Sequence, residues 1–226
     1  IVLSSPHNPG GRVCTKNELK DLAAFAERHD LIIVSDEIHN DLIMPGNKHI
    51  PMAIAAPEIM NRLVMMTATT KTFNIAGMHT GNVIIPDSNL RAEFSKTMMA
   101  YGITPNSFGK HMVTAAYSQE GAAWVDSLMI YLAENQRIFN REITKIPGIN
   151  PMTLEGTYLG WVDFTNTGMS PKEFTDRVEK SAQIVANHGH TFGTGGEYFL
   201  RFNIATRRSL VLEALDRLTN AFSDLQ

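Results

Sequence analysis

Lys71 lies in the run Thr69-Thr70-Lys71-Thr72-Phe73-Asn74-Ile75-Ala76-Gly77, directly after the apolar stretch Leu63-Val64-Met65-Met66. An amine that forms a Schiff base must first lose its proton, which at neutral pH requires partial desolvation or neighbouring cations. A lysine in a loop at the end of a buried strand can meet that requirement, although the ordinary fate of a loop lysine is a solvated surface. Asp36 ends a second apolar run, Leu31-Ile32-Ile33-Val34-Ser35, with Glu37 beside it and His39 three residues on. A carboxylate there can keep a proton on a heteroaromatic nitrogen and so make that ring an electron acceptor, or it can cap a turn. Asp36, Glu37, His39 and Asp41 also form a His-plus-carboxylate group, but no second His at helical spacing joins them, and no metal site is expected.

Two further polar residues stand out. Asn8, in Pro6-His7-Asn8-Pro9-Gly10-Gly11, offers an amide donor to an aromatic hydroxyl or carboxylate; equally, it can shape the Asn-Pro turn. Arg201 alternates with Phe202 in the apolar run of residues 198–204, so an inward-facing guanidinium would need an anion, either a substrate carboxylate or a structural salt-bridge partner. Cys14 is the only cysteine and reads as a packing residue, as do most of the 12 Met residues.

The elements that position these residues follow from the patterns around them. Ile1-Val2-Leu3-Ser4-Ser5 reads as a strand feeding the glycine- and proline-rich loop. Thr15 and Glu18 make a capping box, with Leu19, Leu22, Phe25 and Ala26 as the apolar face of a helix reaching about His29. The β-branched run 31–34 predicts a strand covered on both faces, and residues 63–66 and 81–85 predict two more. Strands alternating with helices argue for an α/β sheet, in which polar residues just past the strands' carboxyl ends share a crevice; Asn8, Asp36 and Lys71 fall there. Residues 89–145 turn helical, and 122–145 form a segment long enough to bridge two lobes. Beyond it, residues 160–164 and 198–204 predict strands, Ser170-Pro171-Lys172-Glu173 a capped helix start, and residues 209–225 an amphipathic helix, together a small α+β lobe.

Composition narrows the function. The 226 residues are 43% hydrophobic and 19% charged, with a net charge of -3 and both signs interspersed, so no basic stripe favours nucleic acid. The apolar runs are too short to span a bilayer, and a single cysteine rules out an internal disulfide, so a reducing, cytoplasmic setting is expected. No glycine motif of a nucleotide-binding module follows a strand. The chain opens inside an apolar run without an initiator Met, which suggests a piece of a longer protein.

Four of these signals occur in an order that resembles the class I and II aminotransferase superfamily of fold-type I pyridoxal-phosphate enzymes. His7-Asn8-Pro9-Gly10-Gly11 resembles its Asn-Pro-x-Gly loop, and Ser35-Asp36-Glu37-Ile38-His39 its Asp-x-x-Tyr segment. The run from Thr69 to Gly77 resembles the lysine segment, and Arg201-Phe202-Asn203-Ile204-Ala205 the Arg-x-Asn carboxylate site. His39 in place of the usual Tyr, together with Lys-Thr-Phe-Asn-Ile-Ala-Gly, is similar to the cystathionine β-lyase branch. Ala68 and His79 depart from the phosphate-binding Ser and Arg that many transaminases carry.

The resemblance implies pyridoxal 5'-phosphate as cofactor, Lys71 as its covalent anchor and acid/base, and Asp36 at the pyridinium nitrogen. It implies Asn8 at the ring oxygen and beside the substrate, His39 in the cofactor pocket, Thr70 toward the phosphate and Arg201 on the substrate α-carboxylate. The fold it implies is α/β: residues 1–121 as part of the large cofactor domain, a mixed sheet with flanking helices; 122–145 as a bridging helix; and 146–226 as a small α+β carboxy-terminal domain. The implied activity is α,β-elimination on cystathionine or another cysteine S-conjugate by a homodimer, with transamination or a non-catalytic fragment as alternatives. Without the family's amino-terminal portion, residues 1–226 alone are expected to hold the cofactor weakly.

Overall fold

The computed structural model describes residues 1–225, which divide into two compact units, Ile1–Pro6 with Arg12–Leu128 and His7–Gly11 with Met129–Gln226. No helix among the described residues is long and apolar enough to cross a membrane.

The first unit is built on a four-stranded sheet of order β1-β2-β3-β4. Strand β1 (Val2–Ser4) leads through the capping box into helix α1 (Lys16–Arg28). Thr15 Oγ1 accepts from the Glu18 N–H at 3.3 Å, and Glu18 Oε2 accepts from the Thr15 N–H at 2.8 Å, so both orphan donors at the helix start are satisfied. The buried face is Leu19, Ala23 and Ala26. Phe25, expected inside, is turned out and packs its ring on His29 at 4.5 Å, leaving Leu19, Ala23 and Ala26 as the buried stripe.

Strand β2 (Ile33–Asp36) runs parallel to β1 and to β3 (Leu63–Thr67), with Asp36 aligned to Ser4 on one side and Met66 on the other. Between β2 and β3 the chain forms helix α2 (Met52–Ala55) and a 3-10 turn over Pro57–Arg62, segments too short to show periodicity in the sequence. Ile33, Met52, Ile59 and Leu63 join the α1 face in one fully buried cluster, where each large aliphatic side chain contributes about 1.5–3 kcal/mol by burial. Only this face of the run 31–34 is covered throughout: Ile32 precedes the strand and is 47% exposed, contrary to the two-sided burial expected from its composition.

Residues 69–72, expected in a loop, instead form the short helix α3 (Thr69–Thr72). Strand β4 (Asn82–Ile84) then pairs antiparallel with β3, which makes the sheet mixed. Helices α4 (Ser88–Ala100), α5 (Ser107–Ala116) and α6 (Gln119–Ile143) account for the predicted helical stretch.

The second unit carries an antiparallel sheet of order β5-β6-β8-β7. Its strands are β5 (Asn150–Pro151), β6 (Leu159–Asp163), β7 (Asn187–His188) and β8 (Phe199–Asn203); β5 and β7 have two residues each and left no sequence signal. Helix α7 (Pro171–Asp176) starts on Ser170, whose side chain accepts from the Glu173 N–H, and α8 (Arg208–Ala221) is the predicted last helix. Phe164 stacks on Phe174 at 4.7 Å beside Phe222 to form the aromatic core. Met129, Leu132, Gln136, Phe139 and Ile143 of α6 line up at helical spacing on its buried side.

Candidate active site

In the first unit, parallel pairing brings the carboxyl ends of β2 and β3 side by side, so the residues that leave them are neighbours by construction. Asp36 is the last residue of β2 and is half-buried. Its Oδ1 accepts from the Ile38 N–H at 3.2 Å, and no cation among the described residues pairs with the carboxylate. The next residue has a different role. Glu37 is 1% exposed and accepts from Ser35 Oγ at 2.8 Å and the Met52 N–H at 2.9 Å, while its other oxygen meets His49 Nε2 at 2.8 Å. Those bonds tie the turn after β2 to the start of α2. His39 is buried in the same turn.

Lys71 follows β3 within α3, whose turn is closed by the Phe73 N–H to Thr69 O bond at 2.9 Å and the Ile75 N–H to Thr70 O bond at 3.0 Å. Asn74 ends the helix with φ of 54°, a left-handed conformation that asparagine tolerates. Lys71 is half-buried between the buried Thr69, Thr70 and Thr72, and none of the described residues gives it a hydrogen bond or ion pair. Thr72 Oγ1 donates to Asp41 Oδ2 at 2.9 Å, which ties the lysine helix to the turn after β2, and Phe73 stacks on Trp124 at 5.3 Å. Thr69 Oγ1 is buried with no partner, although Thr70 was the threonine singled out by the sequence. A Thr-Thr pair before the lysine was visible; which hydroxyl lacks a partner was not.

In the second unit, Asn8 and Arg201 meet. Arg201 NH1 donates to Asn8 Oδ1 at 2.6 Å, and NH2 donates to Asn187 Oδ1 at 2.7 Å. The first bond fixes the Asn8 amide so that Nδ2 is the end left to donate. The guanidinium lies over the Phe192 ring, 4.6 Å from its centroid, and its Nε is buried without an acceptor. No Asp or Glu among the described residues pairs with Arg201, so the structural salt bridge left open by the sequence is not formed. Burial pushes the Arg201 guanidinium below its ordinary pKa, opposed by Tyr158. Burial likewise pushes the Tyr158 phenol up, and the Arg201 charge works against that.

Two devices hold this cluster. Gly11 has φ of +72°, and a Cβ there would lie 2.3 Å from Leu154 Cδ2; its carbonyl accepts from the Glu155 and Gly156 N–H groups at 2.9 and 3.0 Å. At the far end of β8, the buried Asn135 donates through Nδ2 to the carbonyls of Ile204 and Thr206 at 3.0 and 2.9 Å. Asn187, Phe192 and Asn135 had no distinguishing pattern in the sequence, and Asp41 stood out there only as a member of the His-plus-carboxylate group.

A mixed α/β sheet with a lysine helix after one strand and, at the end of its neighbour, a carboxylate without a cation among the described residues, plus an antiparallel lobe presenting an arginine, defines a known class. The chain belongs to the aminotransferase class I and II family, whose profile matches residues 1–218. It is 35% identical over 225 residues to the cystathionine beta-lyase PatB of Bacillus subtilis (strain 168), covering 99% of this chain and 58% of that protein. Protein MalY of Escherichia coli (strain K12) is 30% identical over 224 residues, covering 98% and 56%. Among solved structures, cystalysin from Treponema denticola, which contains a pyridoxal 5'-phosphate cofactor, matches with a TM-score of 0.94 at 37% identity, covering 100% of this chain and 57% of that one. The chain thus spans 56–58% of the length of these relatives.

Proposed function

We propose that this chain carries the pyridoxal-phosphate and substrate-carboxylate residues of a carbon-sulfur β-lyase. The reaction converts an S-substituted cysteine such as cystathionine, with water, into a thiol, pyruvate and ammonia. The observation that carries the reading is Lys71, half-buried in the family's lysine segment and unpaired by any described carboxylate. The donor set fits the cofactor: among the described residues Thr69 Oγ1 is buried without a partner, Asp36 has no cation, and Lys71 has no anion.

When bound, the cofactor supplies an aldehyde and a ring that accepts the electron pair left when the substrate loses its α-proton. Lys71 would hold it covalently, and Lys71 Nζ would be the base that takes the substrate α-proton. Asp36 would keep a proton on the ring nitrogen, and Asn8 would offer its Nδ2 to the ring oxygen. Thr70, with Thr69 beside it, would hold the phosphate. His39 stands where much of the family has a tyrosine and belongs to the same pocket. Arg201 orients the substrate by its α-carboxylate.

Elimination is favoured over transamination because the relative at 35% identity is a cystathionine beta-lyase, whereas an aspartate aminotransferase of Pyrococcus horikoshii stands at 27%. A homodimer is part of the proposal, supported by the exposed Met99, Tyr101, Ile103 and Phe108, and sedimentation measures it. A cytoplasmic setting is also part of it, supported by the free thiol of Cys14. Borohydride reduction, digestion and mass spectrometry should place the phosphopyridoxyl group on the Lys71 peptide; label elsewhere sinks the assignment. Cystathionine should yield pyruvate and thiol together, and a keto acid without thiol would replace elimination by transamination.

A further inference from the structure

The acceptors around Arg201 are all neutral, although each could have been an acid. Asn187 stands directly opposite Arg201 in the β7–β8 register, and its Oδ1 accepts from NH2 at 2.7 Å. Asn8 Oδ1 accepts from NH1 at 2.6 Å. The Phe192 ring supports the guanidinium face at 4.6 Å and is itself held edge-on to Trp161 at 5.4 Å, while Trp161 stacks on Phe199 at 5.0 Å. The turn that delivers Phe192 is fixed by close backbone approach, since a Cβ on Gly189 would fall 2.1 Å from Gly196 O. Acids of the same segment are engaged elsewhere: Glu179 meets His188 Nε2 at 2.6 Å, and Glu197 accepts from the Gly195 N–H at 2.9 Å. The Nε–H remains buried and without an acceptor.

Two amide oxygens and a ring face orient a guanidinium without neutralising it, whereas a carboxylate at either amide position would form an internal ion pair that an incoming anion has to displace. We infer that Asn187, with Phe192, is a positioning residue that keeps the Arg201 charge uncompensated and reserved for the carboxylate of the substrate. This rests on the reading that Arg201 takes the α-carboxylate. Asn187 is exposed, so changing its side chain leaves the core intact.

The test uses the cofactor-loaded protein and calorimetric binding of methylthiopropionate, an S-methylcysteine lacking its amino group, beside the corresponding amide. Asn187→Asp, which keeps the shape and adds the charge, is expected to weaken carboxylate binding by at least about tenfold, more than Asn187→Ala does, and to leave amide binding unchanged. Turnover of an S-substituted cysteine should show raised KM with kcat retained. Phe192→Leu, which keeps bulk and removes the ring, should weaken carboxylate binding by about two- to fivefold. If Asn187→Asp binds the carboxylate within about threefold of the wild type while Arg201→Ala loses it, the positioning role is overturned and the Arg201 reading stands. If Arg201→Ala leaves carboxylate binding intact, both fall.

Discussion

Lys71 and Arg201 are both half-buried cations, and the structure treats them in opposite ways. Lys71 has no hydrogen-bond or ion-pair partner among the described residues and is flanked in the chain by buried threonines. Arg201 is held from two sides by amide oxygens and from one face by a ring. An amine that has to shed its proton and move between bonding partners is hindered by any fixed anion, which would stabilise the ammonium form. A guanidinium that has to stay charged and meet a carboxylate in one orientation gains from fixed geometry, provided the partners carry no charge. The same contrast repeats one residue apart in the first unit, where Glu37 is saturated with donors and Asp36 accepts one weak bond. Saturation marks the residue that ties the turn to α2, and the spare capacity of Asp36 is what its proposed role at the cofactor requires.

Variants can break this contrast, beginning with the largest effect. Lys71→Ala should lower kcat by at least about 10²–10⁴-fold, the worth of positioned proton transfer alone, while the unfolding midpoint stays near that of the wild type. Retained turnover would remove Lys71 from the chemistry. Glu37→Ala should cost about 3–5 kcal/mol of stability in urea unfolding, because His49, the Met52 N–H and Ser35 Oγ lose a buried acceptor. Asp36→Asn should cost less than about 1 kcal/mol in the same measurement, since an amide oxygen can still accept from the Ile38 N–H. Equal losses at 36 and 37 would erase the distinction between them.

Arg201→Ala should weaken binding of the amino-acid substrate by about 2–5 kcal/mol, or roughly 30-fold to several thousand-fold, with cofactor affinity little changed. A substrate effect below about threefold makes Arg201 structural. The smallest effect is at Glu18, an exposed and fully partnered charge that serves as the control. The Thr15 N–H, the Arg12 guanidinium and the Thr15 hydroxyl lower its carboxyl from the ordinary 4.5 to about 2. A depressed folded pKa means the contribution to stability is present above about pH 4.5 and lost as pH falls toward 2. Carboxyl NMR titration should show that value, and Thr15→Ala should return it toward 4.5; an unshifted Glu18 in the wild type would contradict the capping geometry.

Much of the fold was legible in local patterns. The capping box at Thr15 and Glu18 and the Ser170-Pro171 helix start rest on interactions between residues a few positions apart, and the strands around Ile33, Leu63, Trp161 and Arg201 showed as local runs of apolar residues. The short pieces were not legible, because a strand of two residues such as β5 or β7 exists only by virtue of its neighbour. The Thr69–Thr72 stretch was read as a loop because four residues carry no period.

The candidate site divides along the same line. Residue identity and order were enough to single out Lys71, Asp36, Asn8 and Arg201, because an amine, an acid, an amide and a guanidinium are chemical facts of the sequence. Which neighbours each of them meets depended on chain pairing over long separations: Asn8 reaches Arg201 across 193 positions, Asp41 reaches Thr72 across 31, and Asn187 faces Arg201 through a β-ladder. Hydrogen-bond partnership at such distances is set by sheet register and loop closure. The sequence by itself therefore determined which groups can do chemistry, and only the tertiary structure decided which of them are neutralised, which are held, and which are left free to act.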